Sequence, residues 1–267
     1  MTTYRIVQVD AFASRPFEGN PAAVMPLYAW LPGATMQAIA AENNLAETAF
    51  TVPNEHDSSG SEGADYDLRW FTPTVEVDLC GHATLASAHV LLTGAAIRFS
   101  TRSGILTVTR GDSGSLRLDL PAFAVAAGVE PGLLEGLGLP AATPTFLGRG
   151  GNGTAIAVLG DEAAVRAVAP DFRALRGIDR LVIVTAAGGA TDIVSRVFAA
   201  NHGIDEDPVT GSAHAALVPF WAERLGRPRF TAFQASARGG YVDCELAGDR
   251  VMLGGHCVTI IEGQFFL

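Results

Sequence analysis

Two stretches of the chain carry residues that could do chemistry, in the same order. Asp78-Leu79-Cys80-Gly81-His82-Ala83-Thr84 runs into the uncharged stretch Leu85 to Leu92. Glu206-Asp207-Pro208-Val209-Thr210-Gly211-Ser212-Ala213-His214 runs into Ala215 to Trp221. Each has an acidic residue, a turn glycine, small polar residues and then a nearly charge-free helical run. The first amides of a helix have no acceptor within the helix, and the dipole leaves that end positive. Such an entrance seats a carboxylate, so the pair predicts two half-sites for a small acid. Three other constellations fail. Ser212, His214 and Asp207 have the composition of a nucleophilic triad, but Ser212 and His214 stand two apart on one helix, and no G-x-S-x-G elbow exists. Cys80, His82 and His214 have metal-ligand side chains at a spacing that matches no standard site. Gly148 to Gly153 lacks the G-x-G-x-x-G fingerprint and reads as a hairpin turn.

Composition narrows the chemistry further. The chain has 267 residues, 48% hydrophobic and 17% charged, enough for one large or two ordinary domains with a buried core. A formal net charge of −10 argues against nucleic-acid or anionic-membrane partners. No apolar run is long enough for a membrane helix. The start, Met1 to Arg5, leads directly into strand-like alternation with no signal-peptide core, so a soluble cytoplasmic protein is expected. All 18 basic residues are arginine. Without lysine there is no Schiff base to pyridoxal phosphate or a carbonyl, and no Walker A lysine. The three cysteines, Cys80, Cys244 and Cys257, form no C-x-x-C pair, so neither disulfides nor a zinc knuckle are indicated.

The elements that must position these residues follow from hydrophobic periodicity. Ile6 to Phe12 alternates as a strand, and Gly19-Asn20-Pro21 turns the chain into a second strand, Ala22 to Leu27. Thr35 to Asn44 has helical character and ends at Asn43-Asn44. Strands are expected at Glu47 to Val52 and Tyr66 to Phe71, with a polar surface loop at 54–64 between them. After the first helix come strand-like runs at Ile97 to Thr101, Ile105 to Thr109 and Ser115 to Leu120. Pro121 opens an Ala/Gly/Pro-rich segment that suits a domain boundary. Beyond it lie an amphipathic helix at Glu162 to Val168 and strands at Leu181 to Thr185 and Ile193 to Phe198. Arg102-Ser103-Gly104 follows the first helix and Arg238-Gly239-Gly240 the second, each leading into paired strands. The order helix, Arg-x-Gly, strand, turn, strand thus occurs twice, which suggests two related halves, 1–122 and 123–267, the last strand returning to the first half. Both helices are apolar nearly all round and must be buried, so each half should wrap short strands around one helix. Pro219 should kink the second.

Taken in order, these motifs resemble the PhzF family of isomerase-like proteins. The matching stretches are Gly19-Asn20-Pro21-Ala22-Ala23-Val24, Asn44-Leu45-Ala46-Glu47-Thr48-Ala49-Phe50, Leu68-Arg69-Trp70-Phe71-Thr72-Pro73, Cys80 to Ala86 and Glu206 to His214. The resemblance implies an α+β fold of the diaminopimelate epimerase type. In it, two pseudo-symmetric domains each wrap a barrel-like, mostly antiparallel sheet around a central buried helix. It also implies a homodimer, no cofactor or metal, and an active site in the cleft where the two helix entrances meet. The implied chemistry moves a proton on a small carboxylate-bearing substrate, with a glutamate as acid and base. That role falls on Glu47, with Asp207 and His82 beside it. Gly81, Gly211, Ser212, Thr210 and Cys80 fall at substrate-binding positions.

The residues suit these roles. Glu47 opens an apolar strand after a helix breaker, so partial desolvation is expected, a condition that lets a carboxyl act as acid and base near neutrality. Asp207 precedes Pro208, which extends it at the helix entrance; it serves either the helix dipole or the site, orienting His82 or binding substrate. Ser212 with Gly211 offers a hydroxyl and free amides to an anion. The related epimerases use one cysteine at each entrance, whereas this chain has Cys80 at one and Thr210 at the other. A threonine hydroxyl is no base near pH 7, so two-thiol racemisation is disfavoured. Two alternatives stay open: a racemase or epimerase using Cys80 with another partner, and a non-catalytic binder of small acids.

Overall fold

The computed structural model describes residues 1–54, 63–150 and 153–267. Most of the predicted 54–64 loop, and the centre of the 148–153 turn, lie outside the described residues. The fold is α+β and mostly antiparallel, and the chain forms two compact units. One unit comprises Met1–Asp119 with Gly254–Leu267, the other Leu120–Leu253.

In the first unit, strand Thr3–Ala11 pairs antiparallel with both the C-terminal strand Cys257–Phe266 and strand Asn20–Pro26. Asn20–Pro26 runs parallel to Glu47–Pro53, which is antiparallel to Tyr66–Phe71. Tyr66–Phe71 is parallel to Ala96–Thr101, and that strand is antiparallel to Gly104–Arg110. The strands surround helix Gly81–Leu91, whose residues from Gly81 to Ala88 are all buried. Strand parity decides what faces that helix. Met25, Phe50 and Phe71 pack outward against Met36, Ile39 and Ala40 of helix Gly33–Asn43. The alternate residues, Asn20, Ala22, Glu47, Ala49 and Thr51, therefore face the central helix and are buried.

In the second unit, Thr145–Gly148 is antiparallel to Thr154–Val158, which is parallel to Leu181–Ala187. Leu181–Ala187 is antiparallel to Ile193–Ala199, which is parallel to Arg229–Gln234, itself antiparallel to Gly240–Ala247. From the first paired strand onward, the directions run antiparallel, parallel, antiparallel, parallel, antiparallel in both units. The same order of strand directions thus recurs in the two units. Outer helices Glu162–Ala167 and Phe172–Leu175 pack on one face through Val165 and Leu175, against Val182, Val184 and Ala186. The opposite face carries helix Gly211–Leu225. Pro219 lies inside this helix without ending it. The bond it cannot donate would have gone to Ala215 O, and that carbonyl instead accepts from Phe123 N at 2.9 Å.

Candidate active site

The entrance of helix Gly81–Leu91 is assembled from three elements of the first unit. Cys80 is the N-cap, in extended backbone at φ −142°, and makes no side-chain capping bond. Glu47 arrives on its strand because helix Gly33–Asn43 stops abruptly. Asn44 closes that helix in the left-handed conformation, φ 49°, and Asn43 Nδ2 donates to Thr48 Oγ1 at 3.1 Å. Asn20 arrives from the turn at Gly19, whose φ is +65°; a Cβ there would fall 2.1 Å from Ala11 O, so only glycine fits. Across the parallel ladder Glu47 is level with Ala22, whose small side chain leaves room for the carboxyl.

These elements bring Glu47, His82, Asn20 and Cys80 together. His82 Nε2 lies 3.0 Å from Glu47 Oε2. His82 Nδ1 lies 3.1 Å from Asn20 Nδ2 and 3.5 Å from Cys80 Sγ. Glu47 keeps 9% of its surface, Cys80 6%, His82 3% and Asn20 none. Burial works against charge on the His82 ring, but Cys80 and the Glu47 carboxylate outweigh it and raise the ring's pKa well above the usual imidazole value. Asn20 can follow either state of the ring, presenting its NH2 to a bare Nδ1 or, with the amide turned over, its carbonyl oxygen to an Nδ1–H. The Cys80 thiol is pushed up to about 11 by burial and by the neighbouring Glu47 carboxylate, so it stays protonated at neutral pH. Apart from Glu47, the second strand-borne group here is Asn20, which sequence reasoning placed in a turn but gave no role. Its signal is parity: a polar residue in line with Ala22 and Val24 on the buried face.

In the second unit, Thr210 is the N-cap of helix Gly211–Leu225, also extended, with φ −116° and no side-chain capping bond. Cys80 and Thr210 are thus both extended N-caps of a buried helix. Thr210 Oγ1 donates a short hydrogen bond to Asp207 Oδ2. A fully buried glutamine fixes this turn. Gln234 Oε1 accepts from Thr210 N at 2.9 Å, and Gln234 Nε2 donates to Asp207 O at 2.6 Å. Ser236 Oγ donates to Pro208 O at 2.9 Å. Gly211 is buried and Ser212 half-buried at the head of the helix. His214 is fully buried, with Nδ1 2.8 Å from Thr210 O, and burial lowers its pKa. It is a neutral donor within the helix and not a member of a triad. Gln234 escaped sequence reasoning, although it continues the buried parity of Phe230 and Ala232.

Comparison with known proteins decides the kinship. Residues 9–263 match the family model of phenazine biosynthesis-like proteins, PhzC-PhzF. The chain belongs to the PhzF family, a family of isomerases. It is 49% identical to a Pseudomonas aeruginosa protein named an uncharacterized isomerase, over 98% of both chains. It is 36% identical to the human phenazine biosynthesis-like domain-containing protein, covering 95% of this chain and 96% of that one. A crystal structure of a PhzF family protein from Enterococcus faecalis superposes over 100% of both chains, with a TM-score of 0.88 and 43% identity. A hydroxyproline epimerase from Agrobacterium vitis, at 14% identity and a TM-score of 0.59 over 98% of this chain and 92% of that one, shares the fold. No helix among the described residues is long and apolar enough to cross a membrane.

Proposed function

We propose that this PhzF-family member is a cofactor-independent isomerase that moves a proton on a small carboxylate-bearing substrate. Glu47 takes the proton from carbon and returns it to another position of the same molecule, so no net acid or base is consumed. The observation that carries this reading is the buried contact between Glu47 and His82 at 3.0 Å, with Asn20 behind the ring. A protonated His82 beside Glu47 pairs with the carboxylate and holds it in place as the base. Once Glu47 has accepted a proton, the same imidazolium faces a neutral acid, which favours giving the proton up again. At the head of its helix the Gly81 amide is a suitable donor for a substrate carboxylate, and at the head of the other helix the Gly211 amide and the Ser212 hydroxyl are donors of the same kind. We read Asp207, tied to Thr210, as a second acidic group, suited to a substrate amine or hydroxyl.

The Cys80 racemase is the weaker reading, because a thiol held at about 11 supplies little thiolate at neutral pH. Incubation in D2O with a panel of amino and cyclohexadiene carboxylates tests all three possibilities. Deuterium on carbon that disappears in Glu47→Gln and persists in Cys80→Ser is the expected result. Loss in Cys80→Ser with retention in Glu47→Gln would move the assignment to the racemase. Tight binding with no exchange in the unmodified protein would leave a binder of small acids.

A further inference from the structure

We infer that Glu47, Cys80 and His82 also form a capture site for a borderline divalent transition metal, of which Zn2+ is the representative. Occupation of this site shuts the entrance of the Gly81 helix. Among the described residues these three are a set of metal-ligating side chains whose donor atoms all lie within 4.8 Å of one another. His82 Nε2 is the central donor, 3.0 Å from Glu47 Oε2 and 4.0 Å from Cys80 Sγ. A tetrahedral zinc with sulfur at about 2.3 Å and nitrogen and oxygen at about 2.0–2.1 Å needs edges of about 3.5 Å and about 3.3 Å for the same pairs. The oxygen edge must open by a few tenths of an ångström and the sulfur edge close by about half; because Sγ lies nearer Nδ1, at 3.5 Å, Cys80 must also turn about χ1 to carry the sulfur round to the Nε2 side of the ring. The mixed thiolate, imidazole and carboxylate set favours zinc or copper over magnesium or calcium.

The surroundings fit as well. Metal-bound histidines are usually oriented by a hydrogen bond from the other ring nitrogen. Asn20, 3.1 Å from Nδ1, supplies it when its carbonyl oxygen faces the ring. Three protein ligands leave a fourth position for solvent or a carboxylate. In the sequence, Cys80 and His82 with His214 match no standard metal-site spacing, and in the structure His214 is engaged with Thr210 O. The strand-borne Glu47, separated from Cys80 by 33 positions, is the ligand that spacing could not find. Binding is a proton exchange with no redox step. The metal replaces the Cys80 thiol proton and, when the ring is charged, the Nε2 proton, and both leave to solvent.

The inhibitory part of this inference rests on the proposed role of Glu47; the binding part does not. The metal-free full-length protein is titrated with Co2+, and one equivalent is expected to give a thiolate-to-cobalt charge-transfer band that Zn2+ then displaces. Zinc calorimetry in two buffers of different ionisation enthalpy is expected to show release of at least one proton. Cys80→Ser should lose the band, whereas Cys244→Ser should keep it. Asn20→Ala, which leaves every ligand in place, should weaken zinc by about 10–100-fold, so the site stays testable if Cys80→Ser does not fold. Absence of the band at stoichiometric cobalt, or its persistence in folded Cys80→Ser, overturns the site. If binding occurs, zinc should abolish D2O exchange and a chelator restore it; exchange unaffected by bound zinc overturns the inhibition. If no carboxylate exchanges at all, the isomerase reading fails while the cobalt band still decides the metal site.

Discussion

At the entrance of the Gly81 helix the N-cap is Cys80, and Glu47, His82 and Asn20 gather around it; at the Gly211 helix the N-cap is Thr210, with Asp207 and Gln234. The backbone is the same: an extended cap, a glycine, then a buried helix between parallel and antiparallel strands. The side chains are joined differently. Around Cys80 the contacts run from side chain to side chain, through atoms that can gain or lose protons. Around Thr210 the buried Gln234 bonds mainly to backbone, to the Thr210 amide and the Asp207 carbonyl, which fixes geometry without moving charge. One fold thus gathers ionisable side chains at one helix entrance and fixes the backbone with a glutamine at the other. The histidines make the same point. His82 is held towards the charged form by Cys80 and Glu47, and His214 towards the neutral form by burial.

The largest expected effect comes from removing the proposed proton carrier, Glu47. Glu47→Gln keeps the shape of the side chain and should lower D2O exchange by about 10²–10⁴-fold, the usual worth of a general acid–base group. Asp207→Asn should lower it less. Equal losses in timed exchange assays would overturn the difference in role between Glu47 and Asp207.

Breaking the glutamine-fixed turn should instead appear in stability and substrate affinity. Gln234→Leu is close in volume but strands the Thr210 amide and removes one donor from the Asp207 carbonyl. Each unsatisfied buried group costs about 1–3 kcal/mol, so urea unfolding should show a loss of at least that size. KM should rise more than kcat falls, because the donors of that turn lose their fixed directions. A kcat loss as large as that of Glu47→Gln would assign Gln234 to the chemistry.

How much of this was legible in the sequence depends on which physical signal each residue leaves. The strands and both central helices were readable because period-2 and all-apolar patterns report burial directly; Tyr66–Phe71 has the predicted bounds. Glu47, His82 and Cys80 were named through the family motifs, and the structure brings these three into contact. The Glu47–His82 pairing itself was not legible, since it depends on how a parallel ladder sets Glu47 beside Ala22. Asn20 and Gln234 were missed for a related reason. Each is a polar residue on the buried parity of a strand, and a one-residue register slip would turn the same residue to solvent.

The two histidines predict pH effects of opposite sign. His82 has a folded pKa raised above its unfolded value of about 6.5, so the folded protein holds more protons between those values. Its contribution to stability is complete below about pH 6.5 and is lost as pH rises through the raised folded value. His214 has a lowered folded pKa, so its contribution is complete above about pH 6.5 and is lost as pH falls through the lowered value. NMR titration of the two rings should give midpoints on opposite sides of the unfolded value. In Glu47→Gln the His82 midpoint should drop while that of His214 stays still. Midpoints that move together would show that one common field, and not the local partners, sets both rings.

The smallest effect is expected from making the entrances alike. Thr210→Cys places a thiol at each N-cap, the arrangement used by two-thiol epimerases. It should nevertheless produce no stereochemical inversion of amino acids, measured by chiral chromatography. The reason lies at Cys80: burial and the adjacent Glu47 carboxylate hold that thiol near 11, so one of the two thiols still cannot ionise near neutrality. The new cysteine also forfeits the Thr210 hydroxyl bond to Asp207, leaving a weaker thiol donor beside that carboxylate. Inversion would become plausible only when Glu47→Gln is added, because that removes the charge that opposes a Cys80 thiolate. If Thr210→Cys alone inverted an amino acid, Cys80 would have to ionise beside Glu47, and the proposed difference in role between the two entrances would be wrong.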